Sequence, residues 1–369
     1  MSDFSRLVPN HILRLVRAGE SRPLKQPSGA SNPVLLNLNE NPFGPSPLAI
    51  RALQCALADV NRYPEIQALD LHQEIASFHN VKPEQVLVTA GATDLIGMVG
   101  RALLGPGLNA VTSERSFIVY RLATRLTEGK LIEVPMRNDG YDLEAIAKSI
   151  DRNTRIVFIA NPNNPTGSLL AAAELDGFLQ QLPDHVLLVI DEAYGDFASE
   201  FIRRRRCAAY SRSLEYVSQD RNIIVLKTFS KTHGLAGLRV GYGIGPARLV
   251  ALFAPLRTIF SLSSLAQIAA AAALRDSEHI QRAVKNNAEE AEALTGALTE
   301  LGWRLPQTWA NFLYLELGQD AAAFADRLRE RGVVVQPLGL WGAPTAIRIS
   351  IGTPEQNQQF LRAMSSLRH

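Results

Sequence analysis

Short apolar runs rich in valine and isoleucine alternate along this chain with longer segments whose apolar residues recur at helical spacing. The runs QVLVTAG (85–91), TRIVFIANP (154–162), VLLVIDE (186–192), NIIVLKTFS (222–230) and LRVGYGIG (238–245) have the length and continuous apolarity of strands buried on both faces. Helix-like segments such as ATDLIGMVGRALL and AAELDGFLQQL separate several of them. That rhythm predicts an α/β fold, a mainly parallel sheet flanked by helices on both faces. After about residue 250 the pattern changes. A long helical region, SSLAQIAAAAALRDSEHIQRAVKNNAEEAEALTGALTELG, leads to strand-like NFLYLEL, GVVVQPL and AIRISIG, interleaved with AAAFADRLRERG and followed by TPEQNQQFLRAMSSL. We therefore expect an N-terminal arm over 1–40 packing with the smaller domain, a large domain over 41–250, and a small α+β domain over 251–369. RPLKQPSGASNP (22–33) is expected to be a loop.

Composition narrows the function classes. The 369 residues are 46% hydrophobic with a formal charge of +2, the profile of an ordinary soluble globular protein with no strong electrostatic pull towards nucleic acid or a membrane surface. Cys55 and Cys207 lie far apart and outside any CxxC spacing, which points away from disulfides and structural zinc and towards a reducing cytoplasm. His11, His72, His79, His185, His233, His279 and His369 share no metal-like spacing, and no metal is expected; His233 is nearest in sequence to a candidate lysine. The first twenty residues read as an amphipathic arm and not a signal peptide. LAQIAAAAAL (265–274) is about half the length of a membrane span.

Candidate chemistry follows from position, because ligands of open parallel sheets gather at the carboxyl ends of the strands. The first run ends in Thr89, Gly91, Ala92 and Thr93, small residues that open a helix whose free N–H groups suit a phosphate. The second ends in the polar turn NPNNPTG and the third in DEAY, which puts Asp191 at the mouth of the sheet. No G-x-x-x-x-G-K-[ST] loop accompanies that acid, which excludes a P-loop. The fourth run leads to Thr228, Ser230 and Lys231, with Lys227 four residues earlier and Arg239 among glycines beyond. A lysine in apolar surroundings loses solvation as an ammonium, so its nucleophilic neutral form becomes accessible near neutral pH. Gly241, Gly243 and Gly245 break the dinucleotide-binding spacing at Pro246. One ligand would use all these parts: an aldehyde for lysine, a pyridine nitrogen for a carboxylate, a phenolic oxygen for Asn and Tyr, and a phosphate for hydroxyls, amides and arginine. Pyridoxal 5'-phosphate carries all four groups.

The motifs NLNENPFGPSP (37–47), RYP (62–64), GATDLI (91–96), NPNNPTG (161–167), DEAY (191–194), TFSKTHGLAGLRVGY (228–242), NFLYLEL (311–317) and IRISIGT (347–353) occur in an order that resembles the fold type I, class I and II aminotransferases, and within them the histidinol-phosphate aminotransferases. The resemblance spans almost the whole chain. It implies Lys231 as the catalytic residue that carries the cofactor, Asp191 on the ring nitrogen, and Asn164 and Tyr194 on the phenolic oxygen. Phe117 would stack on the ring, and Ala92, Thr93, Thr228, Ser230 and Arg239 would meet the phosphate. It also implies a homodimer in which Tyr63 reaches the neighbouring subunit's phosphate. Arg348 and Asn41 would bind substrate, and the second substrate would be a 2-oxo acid such as 2-oxoglutarate.

Against the histidinol-phosphate pattern, Gln336 stands where relatives usually show a second arginine, and no tyrosine precedes Tyr63. A carboxylate donor, an α-amino acid of aromatic type among them, is then a rival to histidinol phosphate. Arg203 to Arg206 are expected to be a solvated loop, and Lys227 to be strand-end packing or a solvated charge. A decarboxylase of an amino acid or phosphoamino acid, or a non-catalytic module binding the same cofactor, would use the same cofactor residues.

Overall fold

The computed structural model describes residues 4–18, 33–207 and 210–367. Residues 22–32 of the expected loop, with the rest of the arm over 19–32, and His369 lie outside the described residues. The strands in chain order are β1 (Val34–Leu36), β2 (Val86–Thr89), β3 (Asn109–Ser113), β4 (Lys130–Val134), β5 (Thr154–Ala160), β6 (Leu187–Asp191), β7 (Ile223–Thr228), β8 (Gly241–Ile244), β9 (Phe312–Glu316), β10 (Val333–Pro337) and β11 (Ala346–Ser350).

β2 to β8 form one seven-stranded sheet in the order β2-β8-β7-β6-β5-β3-β4. β8 runs antiparallel to both its neighbours, and the remaining pairs are parallel. Successive side chains of a strand face opposite sides. Val157, Ile159, Leu188, Ile190, Ile223 and Val225 therefore enter the core on one face, while Ile156, Phe158, Leu187, Val189, Ile224 and Leu226 enter a second core on the other. Helices cover both faces, so these strands show no polar side, and that is why they are continuous apolar runs in the sequence.

The smaller sheet has the order β1-β10-β11-β9, with β1 parallel to β10 and the other pairs antiparallel. Its core combines Leu36, Leu313, Val335 and Ile349 with Phe324 and Phe360 from the helices Ala321–Glu330 and Pro354–Ser365. The long helical region is two helices, Ser264–Leu274 and Ser277–Glu300. The first differs from its expected place with the small domain. Its Ala266, Ala269, Ala270 and Ala273 pack in one cluster with Ala49, Leu71 and Ile75 on the large side, because alanines let helices approach closely. The N-terminal helix Asn10–Ala18 rests beside the helix Ile118–Leu126 of the large sheet, while β1 pairs into the small one and Asn37 and Asn39 after it bond to Arg348 and Ser350.

The four arginines are not a solvated loop. They close the helix Gly195–Arg205, with Arg206 as a left-handed C-cap. Arg203 and Arg204 share Glu200 at 2.7 and 2.6 Å, and Arg204 reaches Glu289 at 3.2 Å. Arg205 lies over the rings of Phe201 and Trp309, 4.3 and 4.6 Å from their centroids, and donates to the Thr308 carbonyl at 3.1 Å. Cations in the last turn also complement the helix dipole. Arg205→Ala is expected to lower stability by about 1–2 kcal/mol, the scale of a partly desolvated cation–π contact plus one hydrogen bond, with turnover unchanged. Urea denaturation beside steady-state rates checks it.

Candidate active site

At the carboxyl ends of β5, β6 and β7, between the two sheets, lies a cavity of about 420 Å³. Lys231, Asp191, Tyr194, Asn164, Phe117, Ala92, Thr93, Thr228, Ser230, Arg239 and Arg348 all line it. The structure thus brings together every expected site residue except Tyr63 and Asn41. Tyr63 is 81% exposed and stacks on Phe260, with ring centroids 4.5 Å apart. Asn41 lies behind the wall, donating to the Thr232 carbonyl at 2.8 Å and meeting His279 Nε2 at 3.3 Å, so its amide is used in holding the loop. Asn39, two residues earlier, lines the cavity in its place.

Lys231 follows β7 directly. Its Nζ donates to the Leu38 carbonyl at 3.0 Å and stands 5.6 Å from the Tyr194 ring centroid. Burial, and then the positive charges of Arg348 and Arg239, bring its pKa down to about 7, with Glu40 and Asp191 opposing. Asp191 closes β6. Burial pushes its carboxyl up to about 6, although it accepts from the Ala193 amide at 3.0 Å and the Tyr120 hydroxyl at 3.1 Å. Two hydrogen bonds do not compensate a carboxylate so deeply placed; a cation before it would.

The Tyr194 hydroxyl accepts from Asn39 Nδ2 at 3.0 Å and Asn164 Nδ2 at 3.4 Å. Arg348, also buried, donates to Asn164 Oδ1 at 2.6 Å and to the Asn37 carbonyl at 2.8 Å, while its Nε is buried without a partner among the described residues. The registers of β10 and β11 set Gln336 directly opposite Arg348.

The anion end of the cavity is built by close approach. The helix Ala92–Leu103 starts after Gly91, which has φ +91° and no side chain to cap the first amides. A Cβ on Gly91 would stand 2.9 Å from Arg239 Nη2, and one on Gly241 would stand 2.5 Å from the Ala92 nitrogen. These glycines let the helix terminus, the start of β8 and the guanidinium converge, and Thr228 and Ser230 line the same cavity. Uncapped amides beside an arginine and two hydroxyls suit a phosphate-sized anion.

Gln336, noticed in the sequence as a missing charge, lines the cavity, as do Leu38, Glu40, Ala236, Gly237 and Trp341, which sequence reasoning did not place here. They come from the segment after β1, the loop after Lys231, and the β10–β11 connection. Asn39 carried a usable signal, a second asparagine inside NLNENP; its left-handed backbone, φ 57°, marks a sharp turn there. Lys227 is neither solvated nor in the cavity. It forms a buried pair with Glu192 at 3.0 Å, and Glu192 and Asp196 raise its pKa against the effect of burial. Asp191 and Arg239 form no ion pair with each other; Arg239 Nη1 donates to the Ala236 carbonyl at 2.8 Å. His233 is buried against Phe229 outside the lining.

Residues 31–364 match the family described as aminotransferase class I and II. The chain is 38% identical over 363 residues to the histidinol-phosphate aminotransferase of Akkermansia muciniphila, covering 97% of each chain. It is 40% identical to histidinol-phosphate aminotransferase 2 of Pseudomonas fluorescens strain Pf-5, covering 90% of this chain and 88% of the relative. Among solved structures, the histidinol-phosphate aminotransferase of Sinorhizobium meliloti in complex with pyridoxal-5'-phosphate superposes with a TM-score of 0.87 over the whole of both chains at 28% identity.

Proposed function

This chain belongs to the class I and II aminotransferases and is a pyridoxal 5'-phosphate-dependent enzyme, and from that premise we propose which residues hold the cofactor and which donor the pocket serves. The residues present fit the group. Asp191, a buried carboxylate in no ion pair among the described residues, would hold the ring nitrogen, and Asn164 and Tyr194 would take the phenolic oxygen. The uncapped amides of Ala92 and Thr93, with Thr228, Ser230 and Arg239, would hold the phosphate, and Phe117 would cover a ring face. When bound, the cofactor supplies the electron sink that lets an amino group be exchanged for a carbonyl oxygen. Lys231 Nζ would hold the cofactor through its aldehyde and, as a free amine, would take the proton from the donor's α-carbon and hand it to the cofactor's aldehyde-derived carbon. The Leu38 carbonyl gives the free amine a hydrogen-bond partner while it waits.

The pKa of Lys231 sets the pH response of the cofactor-free protein. At pH 8 about nine-tenths of a lysine with pKa near 7 is neutral, against roughly 0.3% for one at 10.5. Capture of added pyridoxal 5'-phosphate is therefore expected to accelerate as pH rises from 6 to 8 and to level off above 8. Stopped-flow absorbance checks it; a rate still climbing tenfold per pH unit at pH 9 would contradict the lowered pKa.

The donor reading rests on one observation: Gln336, uncharged, faces Arg348, so the substrate end carries a single arginine. That arrangement suits one carboxylate, gripped by Arg348, with a flat side chain between Phe117 and Trp341. The donor is thus an α-amino acid of aromatic type and the acceptor a 2-oxo acid such as 2-oxoglutarate. Histidinol phosphate is the second reading, favoured by the activity that names the relatives. A half-reaction screen decides, following the bleaching of bound cofactor by histidinol phosphate and by aromatic, acidic and basic amino acids. Preference for histidinol phosphate would overturn the inference from Gln336.

Tyr63 is proposed to reach the phosphate of a second copy. Its exposure, and the exposed Leu57, Val60, Ile66, Ile259 and Phe260 around it in sequence and space, support a homodimer with shared sites. Among the described residues no helix is long and apolar enough to cross a membrane, and Cys55 and Cys207 are both free. The free cysteines support a cytoplasmic place.

A further inference from the structure

We propose that Arg121 is a positioning residue for the amino donor: it ties the turn carrying Trp341 to the large sheet and so fixes the indole wall of the donor pocket. Arg121 lies one turn beyond Phe117 on the helix Ile118–Leu126. Its Nη2 pairs with Glu133 Oε1 of β4 at 2.5 Å, which orients the guanidinium. Its Nη1 donates to the Leu340 carbonyl at 3.1 Å, a bond from the seven-stranded side to the connection between β10 and β11.

That connection is the short 3-10 turn Gly339–Trp341, closed by Gly342 at φ +81°. Its strands carry Gln336 and Arg348, so its placement sets three walls of the pocket together. Trp341 borders two spaces. One is the main cavity, and the other is a narrow cleft bounded by Ser113, Phe117, Arg121 and Glu133. The indole packs against Leu338, Ala343 and Ala346, which hold it to the small sheet. Its Nε1 is buried without a hydrogen-bond partner among the described residues. The Arg348 guanidinium lies 5.7 Å from the ring centroid, a distance for attraction but not for a hydrogen bond. No polar contact of the indole itself therefore fixes it relative to Phe117 and Lys231; the backbone of its turn does, and Arg121 holds that backbone from the opposite lobe.

The inference deepens the donor reading above and rests on it. Donor KM and kcat are to be measured for the holoenzyme and for Arg121→Met, Glu133→Gln, Trp341→Ala and the Arg121→Met/Trp341→Ala double variant, with hydrogen exchange of the 338–343 amides. Arg121→Met is expected to raise donor KM roughly fivefold or more with kcat within about twofold, and to speed exchange in that turn. Glu133→Gln moves both in the same direction by less, and serves should Arg121→Met fail to fold. In the Trp341→Ala background the effect of Arg121→Met on KM should fall below about twofold, because the wall it positions is gone. An equal KM increase in both backgrounds overturns the proposal, as does an unchanged KM with unchanged exchange. Failure of the donor reading is seen separately, as a wild-type holoenzyme that no amino acid bleaches, while hydrogen exchange still reports on the tether.

Discussion

Lys231→Ala is expected to cost about 10⁴-fold in kcat/KM, the upper range for a positioned general acid–base, since the same side chain also anchors the cofactor. The protein should remain folded. In the cofactor-free state the lysine's pKa is about 7, below the 10.5 of the unfolded chain, so between these values the unfolded state binds more protons. Stability therefore rises with pH across that window, and at pH 7 the buried lysine works against folding. Cofactor-free Lys231→Ala should melt no lower than wild type at pH 7, and its advantage should shrink as pH approaches 10.5. Calorimetry of the two apo proteins, with single-turnover rates, separates lost chemistry from lost fold. Borohydride reduction and peptide mapping of the wild type should place the label on Lys231; a label elsewhere would sink the assignment.

Asp191→Asn is expected to lower kcat/KM by about 10²–10³-fold, the scale of removing one preorganised charge from a desolvated site. An amide cannot keep the ring nitrogen protonated, so the cofactor draws electrons less strongly. Stability should move the other way. With a folded pKa of about 6 against an ordinary value of 3.8, the native state binds more protons between those limits, and stability falls as pH rises through them. Above pH 6 the ionised acid costs the cofactor-free protein roughly 3 kcal/mol, two pKa steps. Cofactor-free Asp191→Asn should therefore melt above wild type at pH 7.5 and lose that margin near pH 4. A variant that loses activity but gains no apo stability would show that the carboxylate is not strained by burial.

How much of this was legible in the chain depends on what each residue answers to. The central strands were visible because two covered faces demand unbroken apolar runs, as in Val157 to Ile159 and Leu188 to Ile190. β3 was not. Its Asn109, Thr112 and Ser113 are buried, and Thr112 is satisfied by a bond to the Phe158 carbonyl, a partner 46 residues away. β4 sits at the sheet edge and mixes Lys130 and Glu133 with Leu131 and Ile132, so it carries no continuous signal. In the site, residues at strand ends of the large sheet were found because position along one motif fixes their side. Asn41 was preferred to Asn39 because a motif does not say which asparagine the turn points inward. Gln336 was noticed as a missing charge and Trp341 not at all, since both reach the cavity only through the pairing of β10 with β11. The arginine run misled because charge alone suggests solvent, whereas Arg205 is held by Phe201 one helical turn before it and by Trp309, which is remote in sequence.

The segment that follows β1 belongs to both halves of the molecule. Val34 to Leu36 pair with Val333 to Val335, yet two residues later the Leu38 carbonyl accepts from Lys231 and Asn39 meets Tyr194. A tilt of the four-stranded sheet drags this ribbon with it, and the ribbon ends on the reactive amine. The reactive nitrogen on the large sheet therefore takes its hydrogen-bond partner from a segment rooted in the small one.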